Sequence, residues 1–374
     1  MKVKAAVVNK VNGPYEMEEL DLAEMQDDEV LVKLVASGIC HSDDAVRTGD
    51  SPYNFPAVFG HEGSGIVEKV GKAVTEFKSG DHVVVSYAYC EHCDSCRSGL
   101  PANCDHWVDL NMGPGTRADG SHVFHKADGT PVGNFFGQSS FSTYSLVHES
   151  NLAKVDKEVD LRLVGPLGCG FLTGSGTVFN GLKPEPGSTI AVFGTGAVGL
   201  AAMMAAKISG CSKVIGIDIH DHRLATAKEL GATHIINSRN TDVLEEIKKL
   251  TNGKGVNYSI DTTGVSAVMH TAIDVLAIGG VTAPVAVTPN SIDVHPLADL
   301  TVLNRSIKGV LMGNAIPQLS IPQLVEFYKE GKFDFDKLVK FYKFDDINQA
   351  SSDSLTGKTI KPILIIDEDY APGK

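Results

Sequence analysis

From Gly187 onward the chain alternates short apolar runs with helical segments, and this rhythm constrains the fold more than any other feature. Ile190-Ala191-Val192-Phe193 leads into an Ala- and Met-rich helix over 197–209. Val214-Ile215-Gly216-Ile217 follows, then a helix over Asp221–Leu230 with Asp221 as its N-cap and Gly231 just past its end. A strand at 234–236, a helix at 241–250, a strand at 258–260, a helix at 266–277 and a strand at 281–287 continue the pattern. Strands separated by helices join as parallel neighbours, so this part reads as a parallel sheet covered by helices on both faces.

The first 160 residues follow another rule. Strands are expected at Lys2–Val8, 29–37, Gly63–Val70 and 82–86, with apolar and polar residues alternating in Val30-Leu31-Val32-Lys33-Leu34-Val35 and Gly, Pro and Asp at the turns. Residues 105–140, rich in Gly, Asp, Asn and His, lack a period and read as a long surface excursion. The tail carries a helix at 322–330 and a closing strand, Ile363-Leu364-Ile365-Ile366.

A chain of 374 residues suggests about two to three domains. With 43% hydrophobic and 21% charged residues it has the apolar mass for ordinary cores, which excludes disorder as its main state. The net charge of −13 argues against nucleic acid and anionic membrane surfaces as partners. Three stretches without charges, 163–182, 187–206 and 275–292, reach membrane-spanning length, but Gly, Pro, Thr, Ser and Asn interrupt them, as in buried strands and loops of a soluble domain. No targeting segment is visible, and the cytoplasm is the expected location.

Gly194-Thr195-Gly196-Ala197-Val198-Gly199 ends a strand and opens a helix. In a dinucleotide-binding loop the first glycine permits the turn, the second lets the backbone approach a pyrophosphate, and the third lets helix and strand pack closely. The helix N-terminus offers N–H groups to the phosphates. Asp218 closes the next strand, 19 residues after Gly199, where an acid holds the adenosine ribose 2′-hydroxyl and repels a 2′-phosphate. This favours NAD over NADP. Arg223 leaves NADP open, but behind an acid it reads as a ribose contact.

Cys90, Cys93, Cys96 and Cys104 lie within fifteen residues. Four thiolates from one loop suit a closed, structural Zn²⁺ site. A redox or iron–sulfur site is the rival, weakened by the lack of a Pro after Cys104. Cys40 and His61 sit about twenty residues apart, and Cys169 far downstream. Each alone is more often structural. Together two sulfurs and an imidazole would hold Zn²⁺ with a fourth position open.

These segments carry a resemblance over essentially the whole chain to the zinc-containing medium-chain alcohol dehydrogenases. They are Gly38-Ile39-Cys40-His41-Ser42-Asp43, Gly60-His61-Glu62-Gly63-Ser64-Gly65, the four-cysteine loop, Gly168-Cys169-Gly170-Phe171 with Thr173, and the glycine loop with Asp218. The chain looks most like the aryl-alcohol (benzyl-alcohol) and terpene-alcohol branch. The resemblance implies an α/β fold: a GroES-like β-rich catalytic domain from 1–168 and 308–374, with a Rossmann domain inserted over 169–307.

It also implies two zinc ions per chain, one catalytic on Cys40, His61 and Cys169, and one structural on the four cysteines. Glu62 is implied as the acid beside the catalytic metal and an alternate ligand. Asp43 orients the His ligand, Ser42 bonds the substrate oxygen, and Thr173 stands at the nicotinamide. Arg223 stands at the ribose and Lys361 at the pyrophosphate. Two positions depart from the family's best-known members: His41 replaces an Arg, and Ala45 replaces the His that ends the proton relay, leaving His41 or water for that task.

The implied activity is reversible, NAD-dependent oxidation of a primary, aromatic or allylic alcohol to an aldehyde by a homo-oligomer, dimer or tetramer. Trp107, Phe135 and Phe136 either wall an apolar pocket or pack the excursion. Glutathione-linked formaldehyde oxidation and general short-chain alcohol oxidation are rivals within the family. Polyol dehydrogenases use an acid as third ligand where this chain has Cys169, and zinc-free reductases lack the ligands altogether. A non-catalytic zinc module is the rival of another class.

Overall fold

The computed structural model describes residues 1–373. The chain forms two compact units: Met1–Gly170 with Ile316–Lys329 and the residues from Phe335 onward, and Phe171–Ala315 with Glu330–Asp334. The return to the first unit thus falls at Ile316, not at 308.

The first unit contains two β-layers. Strands Lys2–Val8, Tyr15–Leu22, Phe124–His125, Pro131–Asn134 and Ala57–Val58 close into a small barrel. A seven-stranded sheet runs in the order Leu152–Lys154, His82–Val85, Gly63–Val70, Glu29–Gly38, Lys361–Ile365 and Val339–Lys343, with Tyr144–His148 also paired to Glu29–Gly38. The alternation in Val30–Val35 marks a strand, but not one with an exposed face. All residues of Glu29–Gly38 but Lys33 are buried, because three strands pair with this central strand. Val30, Val32 and Leu34 join Val67, Val83, Val85, Val147 and Leu152 in one core cluster. The chain's far end completes the sheet, with Ile363 opposite Gly38 and Leu364 opposite Ser37, antiparallel.

Residues 105–140 correct the expected surface excursion. They hold a helix, Trp107–Met112, and two strands that close the barrel, and they bury Val123, Phe124, Val132, Phe135 and Phe136. Strands of two and four residues are too short to show a period, and side-chain-capped turns at Asp119 and Asp128 give the segment its loop-like composition.

In the second unit six parallel strands run in the order His234–Asn237, Lys213–Asp218, Thr189–Phe193, Val256–Asp261, Leu276–Pro284 and Ser306–Ile307. The order reverses at Thr189–Phe193, which is where open sheets of this kind bind ligands beyond their strand ends. The helix Ala197–Ile208 is buried from Gly199 to Ala206, as its small and apolar residues require. Asp221 is the first helical residue of Asp221–Leu230, with His220 as N-cap. The expected helix over 266–277 stops at Asp274, and the next strand begins at Leu276, whose buried side chain joins the sheet core. Among the described residues no helix is long and apolar enough to cross a membrane.

Candidate metal centres and cofactor loop

Cys40 follows the central strand and is the N-cap of the helix His41–Thr48. Asp43, three residues on, is fully buried and turns back to accept the Cys40 N–H at 3.1 Å. Its other oxygen accepts the Gly60 N–H at 2.9 Å and bonds His61 Nδ1 at 2.8 Å. One carboxylate therefore ties together the two segments that carry Cys40 and His61 and fixes the imidazole's orientation. The donor atoms of Cys40, His61 and Cys169 all lie within 4.8 Å of one another.

This set fits a divalent cation. His61 Nε2 is buried and has no hydrogen-bond partner among the described residues. A hydrogen bond from the Cys169 thiol, aided by the charges of His61 and Lys361, holds Cys40 well below the ordinary thiol range. The same bond, together with burial, pushes Cys169 up. Burial opposes a charged His61 ring, but Asp43 and the Cys40 sulfur outweigh it and raise its pKa. Two sulfurs sharing a proton beside an unpartnered nitrogen form a donor set that zinc satisfies. The Ser42 hydroxyl lies 3.8 Å from Cys40 Sγ. His41 is exposed and is not among the converging donors.

Glu62 is not among the converging donors and lies against Lys361. The two are buried against each other, Lys361 Nζ donating to Glu62 Oε1 at 2.9 Å and Oε2 at 2.8 Å. The ammonium also donates to the Ile39 carbonyl at 3.1 Å, and Glu62 Oε1 accepts the Gly170 N–H at 3.0 Å. Burial works against the Lys361 charge, yet Glu62 outweighs it and keeps the group protonated. The close fit explains Gly38: a Cβ there would lie 2.1 Å from Glu62 Oε2.

Aromatic rings surround His61. Phe136 stacks on it with centroids 4.7 Å apart, Phe135 meets it edge-on at 5.5 Å, and Trp107 meets Phe136 edge-on at 5.6 Å. Phe135 and Phe136 thus bear directly on a residue of the converging donor set. Sequence reading offered a pocket wall or loop packing for them and missed this support of His61, as well as the Glu62–Lys361 pair.

The sulfurs of Cys90, Cys93, Cys96 and Cys104 also converge within 4.8 Å. Backbone N–H groups point at them: Cys93 N to Cys90 Sγ, Cys90 N to Cys104 Sγ and His106 N to Cys104 Sγ, each at 3.4 Å. The Asp105 N–H, then that of Cys96, pulls the Cys93 thiol down to about 6. Such donors stabilise thiolates, the form that binds metal. Asn111 bonds both the N–H and the carbonyl of Ala88, pinning the helix Trp107–Met112 beside this loop.

In the second unit Gly194 has φ +89°, and a Cβ on Gly199 would lie 1.9 Å from the Gly194 carbonyl oxygen. A Cβ on Gly196 would meet nothing within 4 Å, so the loop leaves open space there. Asp218 accepts four hydrogen bonds: from Thr195 N at 2.8 Å, Thr195 Oγ1 at 2.7 Å, Ile219 N at 2.7 Å and His220 N at 3.0 Å. Burial opposes its charge, but these donors, led by Thr195 N, hold its pKa below the usual range. Arg223 Nε is buried with no hydrogen-bond partner among the described residues. Thr173 Oγ1 lies 4.0 Å from Met312 Sδ.

Residues 26–157 match the alcohol dehydrogenase GroES-like domain, and residues 197–330 match the zinc-binding dehydrogenase domain. The chain belongs to the zinc-containing medium-chain alcohol dehydrogenases, oxidoreductases that act on CH–OH groups. It is 40% identical to geraniol dehydrogenase of Castellaniella defragrans over 98% of each chain. Its fold superposes with a TM-score of 0.94 on benzyl alcohol dehydrogenase of Acinetobacter calcoaceticus, which is 44% identical over 98% of this chain and 100% of that one. A zinc-binding alcohol dehydrogenase domain protein from Burkholderia ambifaria gives 0.95, at the same identity and coverage.

Proposed function

We propose that the protein is a zinc- and NAD-dependent dehydrogenase that reversibly oxidises a primary aromatic or allylic alcohol to its aldehyde. The observation that carries this reading is the convergence of Cys40, His61 and Cys169 around the unpartnered His61 Nε2. A zinc ion there supplies Lewis acidity, which lowers the cost of removing the alcohol's hydroxyl proton. Asp43 orients His61 for that ion. Ser42 bonds the substrate oxygen and passes its proton on, and exposed His41 returns the proton to water. The Phe135, Phe136 and Trp107 cluster gives the site the apolar character an aromatic or allylic alcohol needs. Relatives named for geraniol and benzyl alcohol support the same substrate class.

In the second unit, Gly194, Gly196 and Gly199 leave room for a pyrophosphate, Arg223 contacts the ribose and Thr173 the nicotinamide. Asp218 favours NAD because its charge repels a 2′-phosphate. The four-cysteine lobe holds a second, structural zinc. None of the seven cysteines is paired in a disulfide, which fits a reducing cytoplasm. Exposed Ile278, Val302 and Ile307 near the edge strand Ser306–Ile307 support a homo-oligomer that covers this edge.

The test is a panel of benzyl, geranyl and short-chain primary alcohols, and formaldehyde with glutathione, each assayed with NAD and NADP. The highest kcat/KM is expected for an aromatic or allylic alcohol with NAD. A preference for ethanol or for the glutathione adduct overturns the substrate class, and inactivity with every alcohol overturns the reading itself.

A further inference from the structure

We propose that His92 and His106 form, with the sulfur of Cys90, an exposed divalent-cation position on the rim of the four-cysteine lobe, and that zinc enters and leaves the lobe through it. One donor atom from each of these three residues lies within 4.8 Å of the other two. Both histidines are exposed, and their rings stand 6.1 Å apart with planes tilted by 36°. His92 Nδ1 is hydrogen-bonded to the Cys90 carbonyl, so its proton lies there and Nε2 keeps the free lone pair that binds metals. The His106 backbone N–H donates to Cys104 Sγ, which ties the main chain at His106 to a second sulfur of the lobe.

Two imidazoles and a thiolate suit zinc, nickel and cobalt, and three protein ligands leave a coordination position for water. The rim position is therefore open where the four-thiolate site is closed. A closed site exchanges its ion slowly by simple dissociation, because all four sulfurs must let go before the ion leaves. Cys90 belongs to both donor sets, so an ion can pass between them without leaving that sulfur. As it moves outward, the neutral nitrogens of His92 and His106 replace the sulfurs of Cys93, Cys96 and Cys104. Each sulfur that lets go takes up a proton from solvent as the ion moves outward and gives it back when the ion returns, and no electron changes hands. The catalytic reading assigns these two histidines nothing, and a closed structural site does not need them.

The proposal rests on the reading that the lobe holds zinc, so zinc content is measured first on the intact enzyme. Two zinc ions per chain are expected. The enzyme is then incubated with cadmium-113, whose NMR signal separates a four-sulfur from a two-sulfur, one-nitrogen environment. The H92N/H106N enzyme is expected to keep two zinc ions and its activity, while cadmium enters its four-sulfur site about tenfold more slowly than in the unaltered chain. Uptake at Cys40, His61 and Cys169 serves as the internal control and should not change. As a second readout, the zinc-loaded enzyme should bind one further Co²⁺ with a thiolate charge-transfer band, and the variant should not. Equal cadmium uptake in the two enzymes overturns the proposal, whether or not the extra Co²⁺ binds. A single zinc per chain at the outset overturns the two-metal reading and the proposal with it.

Discussion

Glu62 and Lys361 stand 299 residues apart in sequence and form a buried ion pair at 2.8 and 2.9 Å. Through its two further hydrogen bonds this pair touches Ile39 and Gly170, while Glu62 itself follows His61. Each donor of the proposed catalytic metal thus has a chain neighbour that belongs to the pair or is hydrogen-bonded to it, and the C-terminal strand closes the site. Lys361→Met should leave a buried, uncompensated carboxylate, and breaking such a pair costs about 3–5 kcal/mol. Chemical denaturation and zinc content should both show the loss. Adding Glu62→Gln should restore much of the stability. If the double variant is no more stable than the single one, the pair does not hold the site in this way.

Phe136 packs flat on His61, the planes 29° apart, from a left-handed backbone conformation (φ 54°, ψ 27°) that a bulky residue seldom adopts. Surrounding structure must impose that conformation, and Trp107, edge-on to Phe136, is part of it. Phe136→Ala removes a ring contact of about 0.5–1.5 kcal/mol beyond the buried area and frees the imidazole to rock. Metal retention and kcat/KM for benzyl alcohol should each fall about tenfold, the equivalent of ~1.4 kcal/mol. A variant that keeps its zinc and its rate would show that Asp43 alone fixes the His61 ring.

The second unit was legible in the sequence because its strands and helices are local and long enough to show a period. The glycine loop and Asp218 could be placed for the same reason. Cys40, His61 and Cys169 could be grouped by residue type as a possible zinc set, but only the family resemblance gave them roles, since no local pattern connects residues so far apart. Short barrel strands such as Phe124–His125 have too few residues for alternation, and turn-forming Asp119 and Asp128 masked the buried aromatics between and beyond them. The Glu62–Lys361 pair was hidden for a different reason. Nothing local in the sequence connects Lys361 to a carboxylate 299 residues away.

His82 predicts a pH effect on stability. Its Nδ1 is buried without a hydrogen-bond partner among the described residues, and burial, then the Lys157 charge, holds its pKa below the ordinary value of about 6.5. The unfolded chain therefore takes up this proton more readily than the folded one. Stability should be intact above about pH 6.5 and decline below it, until the folded His82 also titrates. Urea midpoints measured across that range should fall with pH in the native sequence and fall less steeply in His82→Phe. Parallel curves for the two proteins would exclude His82 as the source.

Asp218 sets the last prediction, because all four of its contacts come from its own unit and are known in detail. Thr195 N–H and Oγ–H grip one oxygen, and the Ile219 and His220 N–H groups grip the other. This cage keeps the group ionised and stops it from turning away from a 2′-phosphate. Unit charges about 4 Å apart interact by about 1 kcal/mol in water and about 4 kcal/mol near a protein surface, so removing the carboxylate's charge should matter even where solvent reaches the site. Asp218→Asn keeps the shape and one acceptor oxygen. It should lower the NAD/NADP ratio of kcat/KM at least about tenfold, or ~1.4 kcal/mol, mainly by improving NADP. Arg223, whose Nε has no hydrogen-bond partner among the described residues, stands on the helix Asp221–Leu230 that follows Asp218 and is expected to receive the added phosphate. An Asp218→Asn/Arg223→Ala enzyme should therefore lose most of the NADP gain. If the single variant leaves the cofactor ratio unchanged, the caged carboxylate serves the loop's shape and not the choice of cofactor.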